Sequence, residues 1–184
     1  MKAITISEPW ASLIAYGDKK VETRPWKTEY RGKIAIHAAK SSKVVDRPQD
    51  YNAIPPYLKL MYHRVEKGDM PEYMRNGLSL GCIIAIADLV DCRKIIQRKR
   101  LTICRNDKEE IILENAKIIL EGDIEIDGIS EYDLGDYTLG RYAWIFENAK
   151  RIDPIPVIGK QKLWNLPNEV KLVSEDGTRL YFNY

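Results

Sequence analysis

The chain has 184 residues, 45% of them hydrophobic and 30% charged, with a formal net charge of +2. That length and composition suit one domain with a real core and exclude disorder of the whole chain. The charge is too mild to announce a nucleic-acid binder, so only a local basic patch can carry such a role. Cys82, Cys92 and Cys104 are odd in number and lack metal-ligand spacing, which fits reduced thiols better than a disulfide framework or a zinc site. The opening MKAITISEPW has no apolar run of signal-peptide length, and no stretch reaches the ~18 apolar residues of a membrane span. The expectation is a cytoplasmic protein without membrane contact.

In chain order, residues 3–6 read as a short buried strand. Ser7 offers a helix N-cap and Pro9 suits a first turn, while Trp10, Leu13 and Ile14 recur at helical spacing and Gly17 is a natural stop. The spacing predicts a two-turn helix over residues 9–16. A polar strand-like segment follows at 19–26, then a turn at Arg31 and Gly32, then the alternating stretch 33–38, expected to be a half-buried strand. Residues 41–78 are more polar and are punctuated by Pro48, Pro55, Pro56 and Pro71, with a helix expected over 56–65. The run GCIIAIADLV at 81–90 is the strongest strand signal and suggests burial on both faces. A basic run at Arg93, Lys94, Arg98, Lys99 and Arg100 opens the region 93–128, in which 101–104 and 110–113 flank Asn106 and Asp107 as a β-hairpin. Residues 141–146 read as another strand, Pro154 and Pro156 as a break, and 181–182 as a last strand after a turn at 175–177. Several short strands with two or three helices give an α+β or mostly-β barrel reading.

Lys20, Glu22 and Arg24 share one face of their strand, and Lys19 sits at the turn before it. A carboxylate between cations can fix a polar ligand, or a buried lysine can serve as nucleophile or base. Trp10 and Trp26 are aromatic plates suited to stacking on a flat base. The bland alternative is a solvated sheet face with weak ion pairs and two core tryptophans. His37 points away from the Ile34 and Ile36 face, either as a general base or as a structural hydrogen-bonding residue. His37 and His63 lie too far apart in sequence for a metal site. In a second cluster, Tyr142 and Trp144 share one strand face and Arg141 the other. Either face can border a cleft, or the aromatics fill the core while Arg141 pairs with Asp136. Lys160, Lys162 and Trp164 can extend a basic rim. No Ser/His/Asp, Cys/His or phosphate-cradling glycine pattern is readable.

The pattern Gly17-x-Lys19-x-x-Glu22-x-Arg24, behind a helix with Trp10, Leu13 and Ile14, resembles the signature of the ASCH family. The stretches RGKIAIHA, GCIIAIADLVDC and GDYTLGRYAWIFENAKRIDPIPVIGKQKLWNLP resemble it too, with residues 41–78 and 93–128 left out of the likeness. The resemblance implies a single domain over 1–184: a PUA-like β-barrel with flanking helices, insertions around 41–78 and 93–128, and an inserted hairpin region. It also implies a polar cleft that binds RNA, a nucleotide or a modified nucleoside, with Trp10, Lys19, Glu22, Arg24, Trp26, His37, Arg141 and Tyr142 as candidate ligand-binding residues and neither cofactor nor metal. A hydrolase using Lys19 and Glu22 is the alternative, acting on N-acylated cytidine or on RNA. In such relatives a lysine matching Lys19 works with a hydroxyl residue and a glutamate, and Glu22 here stands where the hydroxyl residue would be. A protein-interaction domain is the third reading.

Overall fold

Apolar residues and glycine stops divide the chain into eight strands and one short helix in a computed structural model that describes residues 1–42, 78–105, 110–127, 131–132, 134–167 and 170. The elements are β1 (Lys2–Glu8), α1 (Trp10–Ala15), β2 (Val21–Arg24), β3 (Gly32–Ser42), β4 (Cys82–Arg105), β5 (Glu110–Leu120), β6 (Ile124–Asp127), β7 (Tyr142–Pro156) and β8 (Leu163–Asn165). Strand order along the main sheet is β2-β7-β4-β3-β1-β8, and β5 and β6 continue from β4. β1 and β3 run parallel, with Ile4 opposite Ile36 and Ile6 opposite Ala38. The other pairings are antiparallel.

Period-two alternation sends the central strands into two cores. Ile4, Ile6, Ile34 and Ile36 pack with Ala11 and Ile14 of α1 and with Trp144 and Phe146 of β7. Ala3, Ala35, Ile83, Ile86 and Trp164 pack together in a separate cluster. A third cluster joins Val21 and Ala143 to Ile95, Ile118, Leu120 and Tyr137. β3 is therefore buried on both faces from Ile34 to Ala38, His37 included, and not half-buried as its alternation suggested. The reason is that a packed cluster covers each face, with Ile34, Ile36 and Ala38 in one and Ala35 in the other, while Gly159 and Trp164 lie against the His37 ring.

Helix α1 is too short to persist alone, so burial of Ala11, Leu13, Ile14 and Ala15 holds it. Its end is set as expected by Gly17, at φ +79°. Its start differs from expectation. Pro9 occupies the N-cap position, and the Glu8 carboxylate, not Ser7, accepts the Ser12 N–H at 3.1 Å and the Ser12 hydroxyl at 2.8 Å.

The strand expected over 81–90 runs to 24 residues. Its first half pairs with β3 and β7, and its second half forms the anticipated hairpin with β5, with Leu101 opposite Asn115 and Cys104 opposite Ile111. The hairpin is thus continuous with a central strand. β7 runs through Pro154 to Pro156, where a break was expected. The ladder between β4 and β7 shifts register between Ile83 and Ala85, and β2 covers the other side of β7 only from Tyr142 to Ile145, so proline's missing N–H is tolerated.

The resemblance implied a barrel. Among the described residues the sheet is open, with β2 and β8 at its two ends, and the architecture is mostly β-sheet with one α-helix where flanking helices were anticipated. The helix expected over 56–65 and the strand over 181–182 lie outside the described residues. No helix among the described residues is long and apolar enough to cross a membrane.

Burial pushes the Glu8 carboxyl up from 4.5 to about 7, against the pull of its two bonds from Ser12. The folded chain then holds this proton more tightly than the unfolded chain. The associated stability is full below about pH 4.5 and is lost as pH rises through about 7. Urea denaturation across this window will show wild-type stability falling with pH relative to Glu8→Gln, by roughly 3 kcal/mol at most. Parallel profiles for the two proteins rule the shifted titration out.

Candidate ligand-binding site

The turn after α1 carries Lys19 inward, leaving it 1% exposed. A buried ammonium must be paired. Lys19 Nζ donates to Glu131 Oε1 at 2.8 Å, the Lys20 N–H donates to Glu131 Oε2 at 2.8 Å, and the Tyr137 hydroxyl donates to Glu131 Oε1 at 2.6 Å. The ammonium also lies 5.5 Å from the Tyr137 ring centre. Burial first, and then the Glu131 charge, raise the Tyr137 phenol well above its ordinary value of 10. Gly135 permits this packing: a Cβ there would stand 2.5 Å from Tyr137 Cε2 and 3.1 Å from Lys19 Nζ.

On β2, Val21 and Thr23 turn inward while Glu22 and Arg24 remain partly accessible. Arg24 Nε lies 3.1 Å from Glu22 Oε1, and Arg24 Nη2 donates to the Thr5 carbonyl at 2.7 Å. Arg141 Nη2 donates to the Thr23 carbonyl at 3.0 Å, and its Nε lies 3.4 Å from Asp136 Oδ2. These groups surround a cavity of about 450 Å³ whose walls include Ser7, Trp10, Glu22, Arg24, Asp136 and Arg141. Burial raises the Glu22 carboxyl above its usual range, while Arg24, Lys19 and Arg141 pull it down and Glu131 pushes it up again. Burial thus opposes the Glu22 charge, and the guanidinium groups of Arg24 and Arg141 support it.

Arg24 also borders a larger groove of about 1040 Å³, lined by Trp26, His37, Lys40, Lys160 and Lys162 among others. His37 is 1% exposed, and its Nε2 lies 2.9 Å from the Val157 carbonyl. A carbonyl only accepts, so Nε2 carries the hydrogen. Gly159 lies against the ring, where a Cβ would come within 2.3 Å of Cε1. Trp26 meets Trp144 edge-on, with ring centres 4.6 Å apart, and its carbonyl accepts the Trp144 indole N–H at 3.3 Å.

The structure therefore brings Trp10, Glu22, Arg24 and Arg141 together at the smaller cavity and Arg24, Trp26 and His37 at the larger groove. Lys19 lines neither; it lies beneath, tied to Glu131. Tyr142 is partly buried against the main core, and Arg141 meets Asp136 as the blander reading held. Sequence reasoning passed over Glu131. The one available signal was that a buried lysine needs a carboxylate, and this one lies 112 positions away. Among the described residues no group of His, Cys, Asp or Glu is arranged to hold a metal ion.

Removing one partner of a buried ion pair strands the other. Lys19→Met and Glu131→Gln should each lower stability by about 3–5 kcal/mol in urea denaturation, with the double variant losing less than the sum. Strict additivity would mean that the two side chains do not interact.

The sequence profile of the ASCH domain matches residues 4–156. Activating signal cointegrator 1 of Homo sapiens is 30% identical over 122 residues, covering 59% of this chain and 19% of that protein. Activating signal cointegrator 1 of Mus musculus is 33% identical over 89 residues, covering 48% of this chain and 14% of that protein. The alignments thus take in less than a fifth of either relative. With the profile spanning most of its length, and β1 through β7 folded from the matched segment, the chain belongs to the ASCH domain family.

Proposed function

We propose that the smaller cavity binds one nucleoside-sized unit of RNA or of a nucleotide. The observation that carries this reading is the Glu22 carboxyl, braced at 3.1 Å by Arg24 inside a cavity of about 450 Å³ walled by Trp10. That volume falls within the range of small-molecule sites, about 300–1,000 Å³. Glu22 accepts from an amino or hydroxyl group of a base or ribose, Arg24 and Arg141 donate to carbonyl or phosphate oxygens, and Trp10 supplies an aromatic wall. Lys19 serves from below, by fixing the turn from which β2 starts. Membership of a family often linked to RNA-related function supports the reading.

A hydrolase acting on N-acylated cytidine or on RNA is the second reading. It is favoured by one observation, a Glu22 carboxyl that burial raises above its usual range beside two arginines at the cavity wall, as an acid–base group requires. In that reading Glu22 is the acid–base group and Lys19 a positioning residue.

Calorimetric titration with cytidine, N-acetylcytidine and short single-stranded RNA should show binding that Glu22→Gln and Arg24→Ala each weaken by about tenfold or more. Unchanged affinity in the combined variant would remove the assignment. Turnover of N-acetylcytidine or RNA that disappears in Glu22→Gln selects the hydrolase, whereas turnover no greater than that of the variant rejects it.

A further inference from the structure

The larger groove differs in character from the cavity beside it. Its described lining contains four basic side chains, Arg24, Lys40, Lys160 and Lys162, and no carboxylate. In a chain with a formal net charge of only +2, that is a marked local concentration. Between the cations lie apolar and aromatic surfaces, Trp26, Leu80 and Ile158 among them. Ile158 is 88% exposed, an unusual position for isoleucine on a surface with nothing to meet.

The cations stand on a fixed frame. The segment 157–162 between β7 and β8 is held at three points: the Val157 N–H donates to the Gly81 carbonyl at 3.1 Å, His37 Nε2 donates to the Val157 carbonyl at 2.9 Å, and the Thr5 hydroxyl donates to the Lys160 carbonyl at 2.9 Å. Lys162 takes a left-handed backbone at φ +58°, which a lysine adopts only when its surroundings require it. Lys40 comes from β3 on the opposite flank. His37 Nδ1, buried in the groove lining, has no hydrogen-bond partner among the described residues.

A groove with aromatic and apolar surfaces and only positive charge complements a chain of flat bases joined by phosphates. Arg24 borders both spaces, so a strand whose one base enters the smaller cavity meets the groove next. We propose that the larger groove holds the sugar-phosphate backbone and neighbouring bases of single-stranded RNA, with Lys40, Lys160 and Lys162 facing its phosphates. The ligand of this chain is then a strand and not a free nucleoside. This deepens the reading of the smaller cavity and rests on it for the position of the first base.

The test compares cytidine with a fluorescein-labelled single-stranded RNA of about eight nucleotides, for wild type, Lys40→Ala/Lys160→Ala/Lys162→Ala and Glu22→Gln, at several salt concentrations. Wild type should bind the RNA far more tightly than cytidine. The triple lysine variant should lose at least about tenfold in RNA affinity and about two units of the log-log salt slope, at ~0.7 per phosphate contact. Loss of RNA affinity in the lysine variant, with cytidine binding indifferent to Glu22→Gln, keeps the groove and discards the cavity reading. Equal affinity for RNA and cytidine, or a lysine variant with wild-type RNA affinity and salt slope, overturns the proposal. So does displacement of the labelled RNA by poly-glutamate as readily as by unlabelled RNA, since that would assign the groove to acidic polypeptide.

Discussion

A lysine that cannot reach water must find a carboxylate, and the resulting bond organises the ligand-binding end of this chain. Lys19 and the Lys20 N–H both close on Glu131, and Tyr137 completes the oxygen's shell. These bonds join the turn after α1 to the segment before β7, two regions that are remote in sequence. Gly135 lets the segment lie close enough for the join. Once that is made, β2 begins where it must, and Glu22 and Arg24 emerge at the mouth of a cavity.

The same physics takes a different form at Glu22. Burial opposes its charge, and the surrounding guanidinium groups restore part of what burial removes. Arg24 contributes to this balance while its other nitrogen grips the Thr5 carbonyl on β1. One side chain thus links two strands that are not neighbours in the sheet, and it forms the wall between the two recesses. A lysine at this position could supply the charge, but its single nitrogen could not pair with Glu22 and hold the Thr5 carbonyl from separate atoms as the guanidinium does.

Local signals were legible wherever neighbours in sequence remain neighbours in space. Gly17 ends α1 as its freedom at positive φ suggests, and Asn106 and Asp107 lie between strands that pair as a hairpin. The motif through Glu22 and Arg24 did mark a shared face. What escaped notice depends on distant partners. Burial of His37 follows from Val157, Gly159 and Trp164, which lie against its ring from far along the chain and which its own alternating pattern does not reveal. The second half of β4 hides a continuing strand because Arg98, Lys99 and Arg100 are consecutive charges that break the apolar alternation. The prolines of β7 looked like breaks because nothing nearby discloses a register shift in the opposite strand. Lys19 seemed available at the site for the same reason that Glu131 went unseen. Of the groove's cations, Lys160 and Lys162 were legible as a basic rim, whereas Arg24 and Lys40 join them from β2 and β3, which no spacing rule discloses.

β4 belongs to the central sheet and to the arm without interruption. Its ladder is therefore a shared ruler for both. Length can be added or removed at the arm's tip in matched steps of two residues, one pair from each side, and every side chain below keeps its face. An odd step lower down would turn inward-facing groups outward unless a bulge absorbed it. The ladder is irregular between Ile95 and Gln97 and between Thr102 and Cys104, the kind of place where such a step is taken up without disturbing the phase of the sheet that carries the two recesses.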